Sequence, residues 1–147
     1  MPFKIFLPIH IKITLWVILF FFIMFSHCPG VELIVNQSVP EKQYTMNDLR
    51  SIFAMQHHIW ANGKRIQVFV LSDDDPIHRQ FTKTKFNMFP HQFRRIWDRL
   101  IFSGTGQAPR QVFSEEEMIE KIIITPNSIG YANSIPINNK IRILDYE

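Results

Sequence analysis

The densest group of chemically able side chains in this sequence is Ser72-Asp73-Asp74-Asp75-Pro76, with Arg79 three residues on. Carboxylates this close together could hold a hard cation such as Ca²⁺, which takes several oxygen ligands. The surrounding residues lack the alternating oxygens and distal Glu of a calcium loop. Helix capping is the simpler reading: Ser or Asp accepts from the first free N–H groups, and Pro suits the first turn. Arg79 then stands one turn past Asp75, within reach of an acid. A second stretch, Ser103-Gly104-Thr105-Gly106, could cradle an anion with backbone N–H groups and hydroxyls. It lacks the Lys and flanking spacing of a phosphate loop, and as a turn it ends a helix. If a small anion binds, the expected contacts are Ser72, Asp73, Asp74, Asp75 and Arg79, supported by Ser103, Gly104, Thr105 and Gly106.

Other reactive residue types point to structure. His57 and His58 are adjacent, so they face different directions, and no acid or cysteine follows at ligand spacing. Glu115, Glu116 and Glu117 fall in the first turn of a helix, where negative charge is stabilising without any chemistry. Trp60 and Trp97 could stack on a ligand, but Trp97 fits a buried helical stripe. There is no G-x-S-x-G nucleophile elbow. The sequence therefore predicts neither an enzyme nor a bound metal or cofactor.

These residues need elements to position them. Glu32–Asn36 is a short apolar run that predicts the first strand. Thr45 and Asp48 form a capping box, with Asp in place of Glu, ahead of Met46, Leu49, Ile52 and Phe53 at helical spacing. Asn62-Gly63 marks a turn, and Ile66–Leu71 reads as a strand covered on both faces. The acidic triplet then opens a helix that runs to about Phe86. Pro90 opens another, with Phe93, Ile96, Trp97, Leu100 and Ile101 along one face. Ser103–Gly106 breaks the chain and Pro109 keeps it open. Ser114 and Glu117 cap a short helix through Met118, Ile119 and Ile122. Ile129–Ala132 and Ile141–Leu144 predict the last strands. Strands alternating with helices argue for a layered α/β domain.

Charge and length narrow the class. The chain has 147 residues, with 16 Lys plus Arg against 13 Asp plus Glu. Lys4 and Lys12 precede every acid, so the remainder is nearly neutral and offers no broad basic face for nucleic acid. Ile13–Phe25 is an uncharged apolar run, short for a bilayer span, behind Lys4, His10 and Lys12. A positive front, an apolar core and the small residue Gly30 predict a secretory signal over 1–30, cut before Val31, with the folded domain over 31–147. An uncleaved inner-membrane anchor facing the periplasm is the alternative. Cys28 is the only cysteine. The exported domain thus has no disulfide framework and no thiolate site. Phe25-Ser26-His27 does not suit lipid attachment to Cys28.

The order of the pieces is similar to that of a known family. ELIVNQSV, TMNDLRSIFAMQHHIWANGKRIQVFVL, FRRIWDRLIFSGTGQAP and PNSIGYANSIPINNKIRIL together resemble the phosphate-type periplasmic solute-binding proteins, of the type 2 periplasmic-binding-protein-like class. They look most like the short single-lobe members. The resemblance implies one α/β lobe, a layered sheet flanked by helices. It also implies a role outside the cytoplasm with ATP-driven importers and an oxyanion ligand, phosphate first. In the family, the loop after the strand presents Arg and then Ser-Gly-Thr at a helix start. Anchored on Phe81, those places hold Leu71 and Asp75, Pro76 and Ile77. A helix N-terminus binds anions through free N–H groups. Here Asp73, Asp74 and Asp75 crowd that end, and Pro76 removes one donor. Two readings follow. One is a periplasmic oxyanion binder whose three acids are displaced or bridged by a cation. The other is an envelope interaction module that keeps the scaffold without phosphate binding, with a transporter, an envelope protein or a second copy as partner.

Overall fold

A computed structural model describes residues 30–147; the expected leader up to its last residue, with Cys28, lies outside the described residues. The first strand, β1 (Glu32–Asn36), is buried from Leu33 to Asn36. Helix α1 (Met46–Phe53) begins at the Thr45–Asp48 capping box, in which the Thr45 hydroxyl accepts from the Asp48 N–H and the Asp48 carboxylate accepts from the Thr45 N–H. The hydrogen bond from the Thr45 N–H holds the Asp48 carboxyl below its ordinary range. Leu49, Ile52 and Phe53 are its buried face, at the spacing of one helical stripe.

Strand β2 (Gln67–Val70) leads through the acidic loop to α2 (Pro76–Phe86). That helix ends at Asn87, which takes a left-handed conformation at φ 52°. Helix α3 (Pro90–Phe102) turns Pro90, Phe93 and Trp97 inward, while Ile101 lies exposed. The predicted five-residue stripe is thus narrower in the fold, with Ile96 and Leu100 only half-buried. The Trp97 indole N–H donates to the Phe53 carbonyl at 2.9 Å, tying α3 to α1. The sequence predicts open chain around Pro109. Instead Arg110–Gln111 forms a two-residue strand, β3, parallel to Phe69 and Val70. Its partner lies some forty residues earlier, and two exposed polar residues carry no alternating pattern to announce a strand.

Helix α4 (Glu115–Ile124), β4 (Ser128–Ala132) and β5 (Ile141–Ile143) complete the described elements. The sheet order is β3-β2-β4-β1-β5. β2 runs parallel to β3 and β4, while β1 is antiparallel to β4 and β5. Successive strand residues point to opposite faces, and β4 divides the layers accordingly. Tyr131 stacks on Phe81 of α2 with ring centroids 3.9 Å apart, inside an aromatic group with Phe53 and Phe86. On the other face, the Ser128 hydroxyl donates to the carbonyls of Ile122 and Thr125. A Cβ on Gly130 would meet Met118 Sδ at 2.5 Å. The sheet is therefore a middle layer, with α4 on one side and the aromatic core under α1 and α2 on the other. The five-stranded mixed sheet and its four helices make an α/β domain.

Candidate functional site

Because β2 is parallel to β3 and β4, the carboxyl ends of all three lie at one edge of the sheet. In open α/β sheets, ligands bind in the crevice outside that edge. The loop from Leu71 to Asp75 and the first turn of α2 occupy it here. Asp75 is the N-cap: its carboxylate accepts from the N–H groups of Ile77 (2.7 Å) and His78 (3.4 Å). Two of the N–H groups that could meet an outside anion are thus met by the chain itself. Ser72 accepts from the Asp74 N–H. Arg79 donates to the backbone carbonyl of Asp74 at 2.7 Å, whereas the sequence predicts a carboxylate partner. The difference is physical, since the Asp75 carboxylate is already committed to the helix end.

Asp73 has a different partner. Arg94, one turn into α3, forks onto both of its carboxylate oxygens at 2.9 and 3.1 Å. Two parallel charge-assisted bonds fix both orientation and charge. The bond to Asp73 raises the Arg94 pKa, and the guanidinium carbon also lies 5.2 Å from the Trp97 ring centroid.

Behind this pair is a buried polar relay. The Tyr131 hydroxyl accepts from the Leu71 N–H at 2.8 Å and lies 2.5 Å from His78 Nδ1. A phenol has one hydrogen to give. Nδ1 is the one acceptor within hydrogen-bond reach of that hydroxyl, so the tautomer that gives the phenolic hydrogen a partner has Nδ1 accepting it and the imidazole's own hydrogen on Nε2. That Nε2–H has no hydrogen-bond partner, and His78 is only 1% exposed. Its nearest acid is Asp73, at 3.9 Å. Burial lowers the His78 pKa to about 4, against the pull of the Asp73 charge. Burial also pushes the Tyr131 hydroxyl upward. At neutral pH the site therefore presents Arg94 as a cation and His78 as a neutral donor.

The second predicted stretch lies elsewhere. Ser103 is the C-cap of α3, which places it about 13 Å along the helix from Arg94. Its hydroxyl donates to the Arg99 carbonyl and meets the Thr105 hydroxyl at 2.7 Å. The N–H groups of Gly104, Thr105 and Gly106 donate to the carbonyls of Ile101 and Leu100. Gly104, at φ 69°, supplies the left-handed backbone of this turn. The fold does not bring Ser103–Gly106 together with Ser72–Arg79.

The remaining candidates fall into structural roles. His57 and His58 are exposed, while Trp60 is buried and donates to the Asn127 carbonyl. Ser114 accepts from the Glu117 N–H, but Glu117 reaches back to the Phe113 N–H rather than to that of Ser114. Glu115 accepts from the N–H groups of Asn133 and Ser134, which pins α4 to the end of β4. Among the described residues no group of three or more His, Cys, Asp or Glu is placed to hold a metal ion. No helix among them is long and apolar enough to cross a membrane. Arg94, His78 and Tyr131 are the site residues that local sequence reading misses. Arg94 stands twenty-one residues after its partner Asp73, His78 sits among polar residues with no motif around it, and Tyr131 in its apolar run looks like core.

Comparison with solved structures places the fold. The chain is similar to an ABC-type phosphate transport receptor from Vibrio cholerae (TM-score 0.53, 13% identity, 80% of this chain and 46% of that one). It is similar to a possible phosphate binding protein from Planctomyces limnophilus (TM-score 0.56, 12% identity, 80% and 41%). It is also similar to PstS from Borrelia burgdorferi (TM-score 0.54, 18% identity, 80% and 47%). The chain thus spans less than half the length of each of these structures. No protein-family model and no curated protein matches it.

Proposed function

We propose that this chain is a solute-binding protein acting outside the cytoplasm, binding a small oxyanion, phosphate first, without chemical turnover. The observation that supports this most is the Arg94–Asp73 pair, which sits at the sheet edge where an α/β domain binds ligands. The acidic triplet would repel an anion if all three charges were free. Two of them are not: Arg94 neutralises Asp73, and Asp75 is spent on the end of α2.

What remains has a definite selectivity. Arg94 keeps guanidinium N–H groups beyond the two that hold Asp73, and these are donors. Asp73, like any ionised carboxylate, only accepts. An anion that carries a proton of its own satisfies both kinds of group, as hydrogen phosphate does and sulfate does not. The likeness to phosphate-binding structures supports the same ligand class. Those structures have more than twice the aligned length.

Isothermal titration of the chain with phosphate and with sulfate tests this. Phosphate binding is expected, with sulfate weaker. Arg94→Ala should lower phosphate affinity more than tenfold, and Thr105→Val, at the distant turn, should leave it unchanged. Light scattering on the same sample reports whether binding accompanies dimer formation. No heat with either oxyanion at about millimolar concentration refutes the proposal.

A further inference from the structure

On the face of the sheet opposite the aromatic core, α4 and the chain after β4 enclose a groove of about 640 Å³. Its floor and walls are Ile119, Ile123, Ile135 and Pro136; its rim is Glu115, Glu116 and Glu120. No cation is among the lining residues. Three further exposed apolar residues adjoin these segments in sequence: Phe113 just before α4, Ile124 at its end, and Ile137 just after Pro136. A water-exposed apolar strip of this kind, rimmed by polar groups, marks an interaction surface.

The pattern on α4 specifies what fits. Ile119 and Ile123 are one turn apart on the helix. In heptad lettering, with Ile119 at d and Ile123 at a, Glu115 falls at g and Glu120 at e. Those positions flank an apolar seam and pair with charges on a neighbouring helix. From Glu116 to Ile123 the ridge is about 10 Å long, enough for two turns of a partner.

We infer that this groove docks an amphipathic helix of another protein, with a Leu, Ile or Val stripe flanked by Lys or Arg. The apolar stripe covers Ile119, Ile123, Ile135 and Pro136, and the partner's cations meet Glu120 beside the stripe and Glu116 at its end. Complementary charge then sets both partner choice and orientation. This inference is independent of the oxyanion proposal, since the groove contains none of Asp73, His78, Arg94 or Tyr131.

The test is fluorescence polarisation of the full chain against a labelled peptide of about 14 residues, a helical Leu stripe with Lys flanks. Its counterpart has Glu in place of each Lys. The Lys peptide should bind with micromolar affinity. Glu116→Lys combined with Glu120→Lys should weaken it more than tenfold, and the Glu peptide should then bind the doubly reversed chain. Both positions are exposed, and a thermal melt confirms that the reversed chain folds. Equal affinity for both peptides, or no effect of the reversal, overturns the inference. No binding of the Lys peptide at about 100 μM does so as well. A dimer in light scattering that the same reversal dissolves would give the groove to a second copy of this chain, and would also overturn it.

Discussion

His78 allows a quantitative test of the buried relay. Its folded pKa is about 4, against 6.5 for the free side chain. Between these two values the unfolded chain binds a proton that the folded chain refuses. The unfolded state is therefore favoured as pH falls: stability is full above about pH 7, declines through 6.5, and levels off below 4. From the two pKa values, acidification from about pH 7.5 to 4.5 costs about 2.5 kcal/mol through this one residue. The groups that face the imidazole set the balance. Burial dominates the shift, Asp73 and Asp75 oppose it, and Arg94 reinforces it.

Urea unfolding at a series of pH values, extrapolated linearly to water, measures this cost. The comparison is with His78→Gln, which keeps an acceptor for the Tyr131 hydroxyl and cannot titrate. Carboxylates such as Asp48 lose stability on acidification in both proteins, so the difference between the two curves isolates the histidine. The wild-type chain should lose about 2.5 kcal/mol more than the variant over that interval. Parallel curves would mean that His78 protonates freely in the fold, and the reasoning from its burial would be wrong.

Three further outcomes are expected. Tyr131→Phe removes the acceptor of the buried Leu71 N–H and the donor to His78, at a cost of about 1–3 kcal/mol by urea unfolding. It should also release the His78 tautomer, visible as a change in imidazole nitrogen shifts by NMR. Gly130→Ala places a methyl group against Met118 Sδ, with a cost of about 1–3 kcal/mol; combined with Met118→Ala, the two costs should add to less than their sum, because one change makes room for the other. Thr45→Ala breaks the capping box of α1 and should lower stability by about 1 kcal/mol, read as a fall in the urea midpoint.

Much of the fold can be read along the chain because its signals are local. β1 appears as an apolar run within five residues, and α1 as a Thr-to-Asp box followed by one stripe. Asp75-Pro76 announces the start of α2, and Asn87 closes it near the predicted end. Each depends on backbone groups within a turn or two of the side chain that meets them. β3 could not be read this way. Two exposed polar residues become a strand only because Phe69 and Val70 are already in place beside them.

The candidate site divides along the same line. The sequence by itself determined that Ser72–Arg79 opens a helix with crowded acids and that Ser103–Gly106 is a helix-ending turn, since both depend on near neighbours. It could not determine what each acid does. Asp73 is neutralised by Arg94, from another helix, and Asp75 is consumed by the N–H groups of its own helix. His78 gains its fixed tautomer from Tyr131, on a strand more than fifty residues away. Charge and protonation depend on distance and burial in space. Only the tertiary structure, which packs α2, α3 and β4 against one another, could assign Asp73 and Asp75 different roles.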